Sequence, residues 1–387
     1  MSIPQRKINN FMSRTSKEKV DSISRKFIFM QVPCGLFRLP ILGIASKIQL
    51  SIMFGIKVLY NCAIIYNLYF AVAFYSYGIA PICDTVEFVS CTLLGFVTYK
   101  ELLKFYAKIN RIDKDLQFCH NSQPKKEVFV HFVQILIIGI TVTLNFWLVP
   151  ECLDIFRTMP FLIPLKILHY LELNYYGHLF ALLIPRLKLL TNKKKKSCYI
   201  KEDQKEKYHY RNDKLLIRYD IGFLMDSYNR LLKAYDYLNK AIRWQLLIII
   251  IAMFNVSLSL AYYVSKLHLE KDKKKVKGCD LCINITFLVI EVVPFVIPCL
   301  LASQVSGEVV NLEEAITSRV HENKLDTSYQ CTAVLFLELL RKQPLSFPLL
   351  HLFVIDLTLP FKLLSLILTY LIILLQFDRV ININKII

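Results

Sequence analysis

The stretch HLFVIDLTLPFKLLSLILTYLIILLQF, His351–Phe377, decides the fold. A helix needs about 20 mostly apolar residues to cross the hydrocarbon of a bilayer. Only Asp356 and Lys362 carry charge in this run, and both lie in its first half. Six other runs are of the same kind: Ile48–Ser76, Thr85–Phe105, Val128–Val149, Pro160–Ile184, Trp244–Val264 and Leu281–Gln304. The second is the shortest in apolar content. It loses its apolar character after Tyr99, where KELLKFYAKI begins an amphipathic extension. Lys57, inside the first run, is placed to snorkel or to find a partner.

Composition agrees with a chain made for lipid. Mean hydropathy is +0.43 and 55% of residues are hydrophobic. In lipid the backbone must satisfy its own hydrogen bonds, so helices or closed barrels are the available answers. A barrel requires many segments of about ten alternating residues, whereas these runs are continuous. The expected fold class is therefore all-α, a polytopic membrane protein with seven transmembrane helices. The N-terminus, MSIPQRKINNFMSRTSKEKV, has no apolar stretch before a cleavage site, and no cleaved signal peptide is expected.

Orientation follows from lysine and arginine, which accumulate on the cytoplasmic side. Of 48 such residues, 36 fall before span one or in the connections two–three, four–five and six–seven. Nine fall on the other side, and three (Lys57, Lys166, Lys362) lie within spans. The N-terminus is expected in the cytoplasm and the C-terminus outside, opposite to a G-protein-coupled receptor. Six lysines in KLHLEKDKKKVKGC run against this majority. The same clustering explains the net charge of +18 without invoking nucleic acid. The expected organisation is a cytoplasmic segment (1–47), spans one to four (48–184), a cytoplasmic loop with helical extensions (185–243), spans five and six (244–304), a second cytoplasmic helical region (305–350), the last span (351–377) and a short extracellular tail (378–387).

Within 185–243 the stretch LLIRYDIGFLMDSYNRLLKAYDYLNKAI repeats apolar residues mostly every three or four positions from Ile221 onward. It reads as long amphipathic helices packed in a cytoplasmic layer. VLFLELLRKQPL in the second region reads as a short helix, which Pro344 and Pro348 end before the last span.

In the last span Thr369, Ile373 and Gln376 share one face, and Tyr370 and Phe377 the adjacent one. A glutamine in lipid favours a helix interface or a watery cavity. Thr-Tyr, five hydrophobic residues, then Gln-Phe resembles the C-terminal motif of insect gustatory receptors, and all four motif residues are present. CGLFRLPIL at the entry to span one and FLELLRKQPLSFPLLHLFVIDLTLPFKLLSLI before the motif extend the resemblance. The sequence departs from the family's Gly-x-Phe pattern before the last span, where it has HLF (His351–Phe353).

The resemblance implies a ligand-gated, non-selective cation channel that detects tastants, in the plasma membrane of gustatory sensory neurons. It implies a homo- or heterotetramer whose cytoplasmic helices form an anchor and whose last spans line the pore, with Gln376 and Phe377 at the outer gate, Ile373 behind them and Thr369 on the same stripe. Tyr370 would serve helix packing. Spans two to six would surround an outward-facing ligand pocket.

Candidate pocket residues are Glu87, Ser90, Asn145, Trp147, Asp154, Phe156, Tyr262, Tyr263, Asn284 and Glu291. An aromatic lining with few polar groups suits small amphipathic molecules, which favours a bitter or deterrent compound over a sugar. His169 and Glu172 are i,i+3 neighbours near His178, but no HExxH is present and no metal is expected. On the outer side Cys83, Cys152, Cys279 and Cys282 leave disulfides and unpaired thiols equally open. The sequon Asn284-Ile-Thr286 lies too near the membrane for efficient glycosylation. No catalytic groups converge and no cofactor is expected, so an enzyme is disfavoured. A transporter would carry internal repeats or broken spans, and none is visible. The partners are a small-molecule tastant, cations, lipid and related subunits.

Overall fold

The computed structural model describes residues 79–116, 159–199, 210–269, 278–321, 327–350 and 353–384, together with Gly55, Val58 and Cys62. The expected spans Ile48–Ser76 (those three positions apart) and Val128–Val149 lie outside the described residues, as do segment 1–47 and Lys57.

Seven helices are described: α1 (Ile79–Asp115), α2 (Met159–Ala181), α3 (Ile184–Tyr199), α4 (Tyr210–Leu269), α5 (Gly278–His321), α6 (Thr327–Lys342) and α7 (Leu359–Asn384). At 1.5 Å per residue, the 60 residues of α4 reach about 90 Å, three times the ~30 Å hydrocarbon core. The 44 residues of α5 and the 37 of α1 also exceed it. Spans two, five and six therefore continue without a break beyond the membrane. In α1 the extension KELLKFYAKI is the same helix as the apolar run before it. Among the described residues, four helices are long and apolar enough to span: 82–115, 221–265, 292–318 and 359–378.

The core runs the length of these helices. Phe105, Ile109 and Ile112 of α1 join Leu224, Tyr228, Leu231, Leu238 and Ile249 of α4 in one buried cluster. The expected stripe on α4 is the buried one, since Ile221, Leu224, Tyr228, Leu231 and Leu238 are each at most 2% exposed. α2 lies close against α5 at Gly177. A Cβ there would meet Leu301 Cδ1 at 3.2 Å and Ile297 Cγ2 at 3.4 Å, so a larger residue would make those side chains give way by a few tenths of an ångström. Pro294 and Pro298 sit inside α5 on the facing segment.

Below the spans, α6 packs on α4 and α5, and the chain then turns back towards the membrane. The sequence predicted a bend at Pro344 and Pro348. The structure adds a two-stranded hairpin, β1 (Pro348–Leu349) against β2 (Phe353–Val354), antiparallel with Pro348 opposite Val354. α4 holds this turn through its tyrosines. The Tyr228 hydroxyl donates to the Gln343 carbonyl at 3.0 Å and Tyr235 donates to the Ser346 carbonyl. Burial pushes both phenols above their usual range, so they stay protonated donors. Phe347 packs between Phe180, tilted at a ring-centroid distance of 4.1 Å, and Tyr235, edge-on at 5.0 Å. Asp356 then caps α7, its Oδ1 accepting from the Thr358 and Leu359 amides at 3.1 and 3.0 Å.

Leu350, at the tip of the hairpin, has φ of 49°. A left-handed conformation costs a non-glycine residue roughly 1 kcal/mol. Leu350→Gly is expected to raise the thermal unfolding midpoint by about 2 °C, read by fluorescence-detected melting in detergent. A lower midpoint would show that the half-buried leucine side chain contributes more than the strain costs.

Candidate ligand and pore sites

Two places combine polar chemistry with membrane depth. The first lies between α1 and α2. Glu87 is 5% exposed and its Oε1 is 2.7 Å from His169 Nδ1, which is as deeply buried. Glu172, one turn further along α2, is buried on the same side, and Asp84 and Thr85 are buried on α1. Ionisable groups inside a span are costly and mark functional sites by default. Below them, Tyr176 donates to Gln245 Oε1 at 2.7 Å, and Gln245 is itself buried. Its backbone oxygen lies 3.9 Å from Cys91 Sγ, and its Nε2 would touch a Cβ placed on Gly95. α1, α2 and α4 thus meet at one amide. The Tyr106 and Tyr175 hydroxyls stand 3.3 Å apart, about three turns of α1 beyond Gly95.

Among the predicted pocket residues, Glu87 is in this cluster, and its partner His169 was singled out only as an unused metal ligand. Ser90 is half-buried on α1, Tyr262 is half-buried on α4, and Tyr263 is exposed. Asn145, Trp147, Asp154, Phe156 and Cys152 lie outside the described residues. Asn284, Glu291, Cys279 and Cys282 fall within α5, at positions where only the backbone is described. The Asn284 sequon is therefore helical. Gln245 was missed in the sequence, where its signal is an amide one residue inside an otherwise apolar run. Among the described residues no group of three or more histidine, cysteine or acidic residues could hold a metal ion.

The second place is α7. Leu359, Leu363 and Ile367 are buried, and the half-buried Leu371 and Leu375 continue that stripe at intervals of four. This aliphatic face turns towards the rest of the bundle. Tyr370 is half exposed and meets Phe254 of α4 edge-on at 5.9 Å. The Thr369 hydroxyl donates to the Ser365 carbonyl at 2.9 Å, within its own helix. Ile373, Gln376 and Phe377 are exposed, Phe377 by 63%. Only 22% of the most apolar window of α7 is buried, against 33–39% for the other three spanning helices. The helix continues to Asn384, past the expected end of the span at Phe377.

A family model described as "7tm Chemosensory receptor" matches residues 36–381. The fold is similar to that of the insect olfactory receptor OR5 from Machilis hrabei in complex with eugenol, with a TM-score of 0.58, 16% identity, and 91% of this chain and 97% of that one covered. A further structure of OR5 aligns with a TM-score of 0.56 and 17% identity over the same shares. A search of curated proteins finds no significant match. The all-helical architecture is that of a polytopic membrane receptor. With the family model spanning nearly the whole sequence, the chain belongs to the 7tm chemosensory receptor family.

Proposed function

We propose that this receptor is a gustatory one and that it acts as a subunit of a tetrameric, ligand-gated, non-selective cation channel in the plasma membrane of sensory neurons. The observation that carries the reading is the geometry of α7: the least enclosed of the four described spanning helices holds Thr369, Ile373, Gln376 and Phe377 exposed. An apolar helix so little covered by its own chain suits a helix that meets other subunits and a pore. The motif Thr369-Tyr370…Gln376-Phe377 supports the gustatory assignment. Gln376 and Phe377 would form the outer gate, with Ile373 stopping ions by dewetting. Tyr370, against Phe254, would anchor the helix to α4.

The ligand would be a small amphipathic tastant, bitter or deterrent, held in the outer half of the bundle by Glu87, Asn145, Trp147, Asp154, Tyr262, Tyr263 and Glu291. The relative OR5 is described with eugenol, a small molecule, which supports a pocket of that scale. Segments 185–243 and 305–350 would build the cytoplasmic anchor, homo- or heteromeric, and 378–387 the outer end.

The orientation separates this reading from a G-protein-coupled one. An epitope at the C-terminus is expected to stain intact cells, and one at the N-terminus only permeabilised cells. The reverse pattern would remove the channel reading and the anchor with it.

A further inference from the structure

Beyond Thr191, α3 is described by its backbone alone. Leu187 and Leu190 are buried, and the next apolar residues of the helix are Cys198 and Tyr199. From Thr191 to Ser197 the sequence is TNKKKKS, with no aliphatic or aromatic residue. The helix nevertheless continues to Tyr199. Lys193–Lys196 place four like charges within about one helical turn, where they repel each other. That repulsion lowers the cost of opening this turn locally.

We propose that Ser197 is a phosphorylation site for a serine/threonine kinase that selects basic residues before its acceptor. Lys193–Lys196 occupy the four positions N-terminal to the serine, and a kinase groove lined by acidic side chains recognises that pattern by charge. The segment lies in the connection between spans four and five, whose orientation in the cell is the cytoplasmic one argued above and rests on that reading. In the transfer, Ser197 Oγ bonds to the γ-phosphorus of ATP, the bond from that phosphorus to the β,γ-bridging oxygen breaks, and ADP leaves. The hydroxyl proton passes to the carboxylate base of the kinase.

Three described hydroxyls on the same side, Thr191, Thr317 and Ser318, lack the combination. Thr191 is half-buried and its hydroxyl donates to the Leu187 carbonyl. Thr317 and Ser318 follow Glu313 and Glu314, which such a groove would repel, and their hydroxyls donate to the carbonyls of those two glutamates. The modification adds a charge of about −1.5 to −2 beside four lysines, near the C-terminal end of α3. A negative charge there opposes the helix dipole, so the last turn of α3 is expected to loosen.

The test has two arms on the full-length receptor. In the first, detergent-purified protein is incubated with the catalytic domain of a basophilic kinase and ATP, and sites are mapped by mass spectrometry. Phosphate is expected at Ser197 and not at Thr191, Thr317 or Ser318. Changing Lys193–Lys196 to glutamine should lower incorporation at Ser197 about tenfold by loss of charge complementarity, while Ser197→Ala abolishes that peptide's signal. Absence of phosphate at Ser197, or incorporation indifferent to the lysines, overturns the site. In the second arm, receptor isolated from cells treated with phosphatase inhibitors is mapped. Phosphate at Ser197 supports the proposal. A site filled in the first arm but never in cells overturns it as a cellular modification. The epitope staining decides separately whether the orientation is at fault.

Discussion

Replacing Arg186 with alanine is expected to remove the receptor from the cell surface. Arg186 is 1% exposed and joins α3 to α1 through both oxygens of Asp113: Nε donates to Oδ1 at 2.8 Å and Nη2 to Oδ2 at 2.6 Å. Its Nη1 donates to the Leu182 carbonyl, at the break between α2 and α3. Deleting one partner of a buried pair leaves a charge without compensation and costs about 3–5 kcal/mol, a large part of a total stability of roughly 5–15 kcal/mol. Asp113→Ala should do the same. Arg230 is the control. It reaches Asp115 and Asp226 across the surface, with nearly half of its side chain exposed. Exposed pairs contribute about 0–1 kcal/mol, so Arg230→Ala should leave expression near wild type. Surface biotinylation and size-exclusion profiles in detergent read both. Normal delivery of Arg186→Ala would show that the pair can be replaced by water.

The second large effect separates two leucines that the sequence treats alike. Both Leu231 and Leu335 sit on apolar stripes of the proposed anchor, and an aspartate at either is a candidate for disrupting assembly. The structure divides them. Leu231 is buried within the chain's own core, whereas Leu335 is 57% exposed beside Val334, which is 51% exposed. Leu231→Asp places a charge among apolar side chains at a cost of several kcal/mol and is expected to yield aggregate. Leu335→Asp costs the single chain little. If the outer face of α6 meets a neighbouring subunit, it should shift native-gel mobility from tetramer to smaller species with the fold intact. Unchanged tetramers would remove that face from the anchor.

What could be read in the sequence was what periodicity and hydropathy control. The last span, the apolar run of α1 and the stripe on α4 depend on residue types repeated at fixed intervals, and burial follows them closely. The helical extensions beyond the spans were expected from periodicity, but not that span five and its extension form one unbroken helix of 60 residues. α4 passes from the amphipathic stretch ending at Ile242 into the apolar run at Trp244 without any change in helical hydrogen bonding, and only a shift in composition marks the border. The β hairpin was not legible, because two residue pairs leave no periodic trace and Leu350 takes a backbone conformation that favours glycine. The pairing of Glu87 with His169 joins residues 82 positions apart, a distance over which one sequence carries no register. The tyrosine contacts to Gln343 and Ser346 are hidden for the same reason.

The central claim is that this receptor conducts cations through a pore lined by α7. The most direct measurement is whole-cell current in cells expressing the receptor, with a co-expressed family subunit where needed, during application of bitter and deterrent compounds. Gln376→Ala is compared with wild type at equal surface labelling. The account predicts a ligand-evoked current that passes sodium and potassium with little preference, and a changed threshold, leak or permeability ratio in Gln376→Ala. A wild-type current whose threshold, leak and permeability ratios are all untouched by Gln376→Ala would place Gln376 in a helix contact away from the pore, and no current with any ligand or subunit would contradict the channel itself.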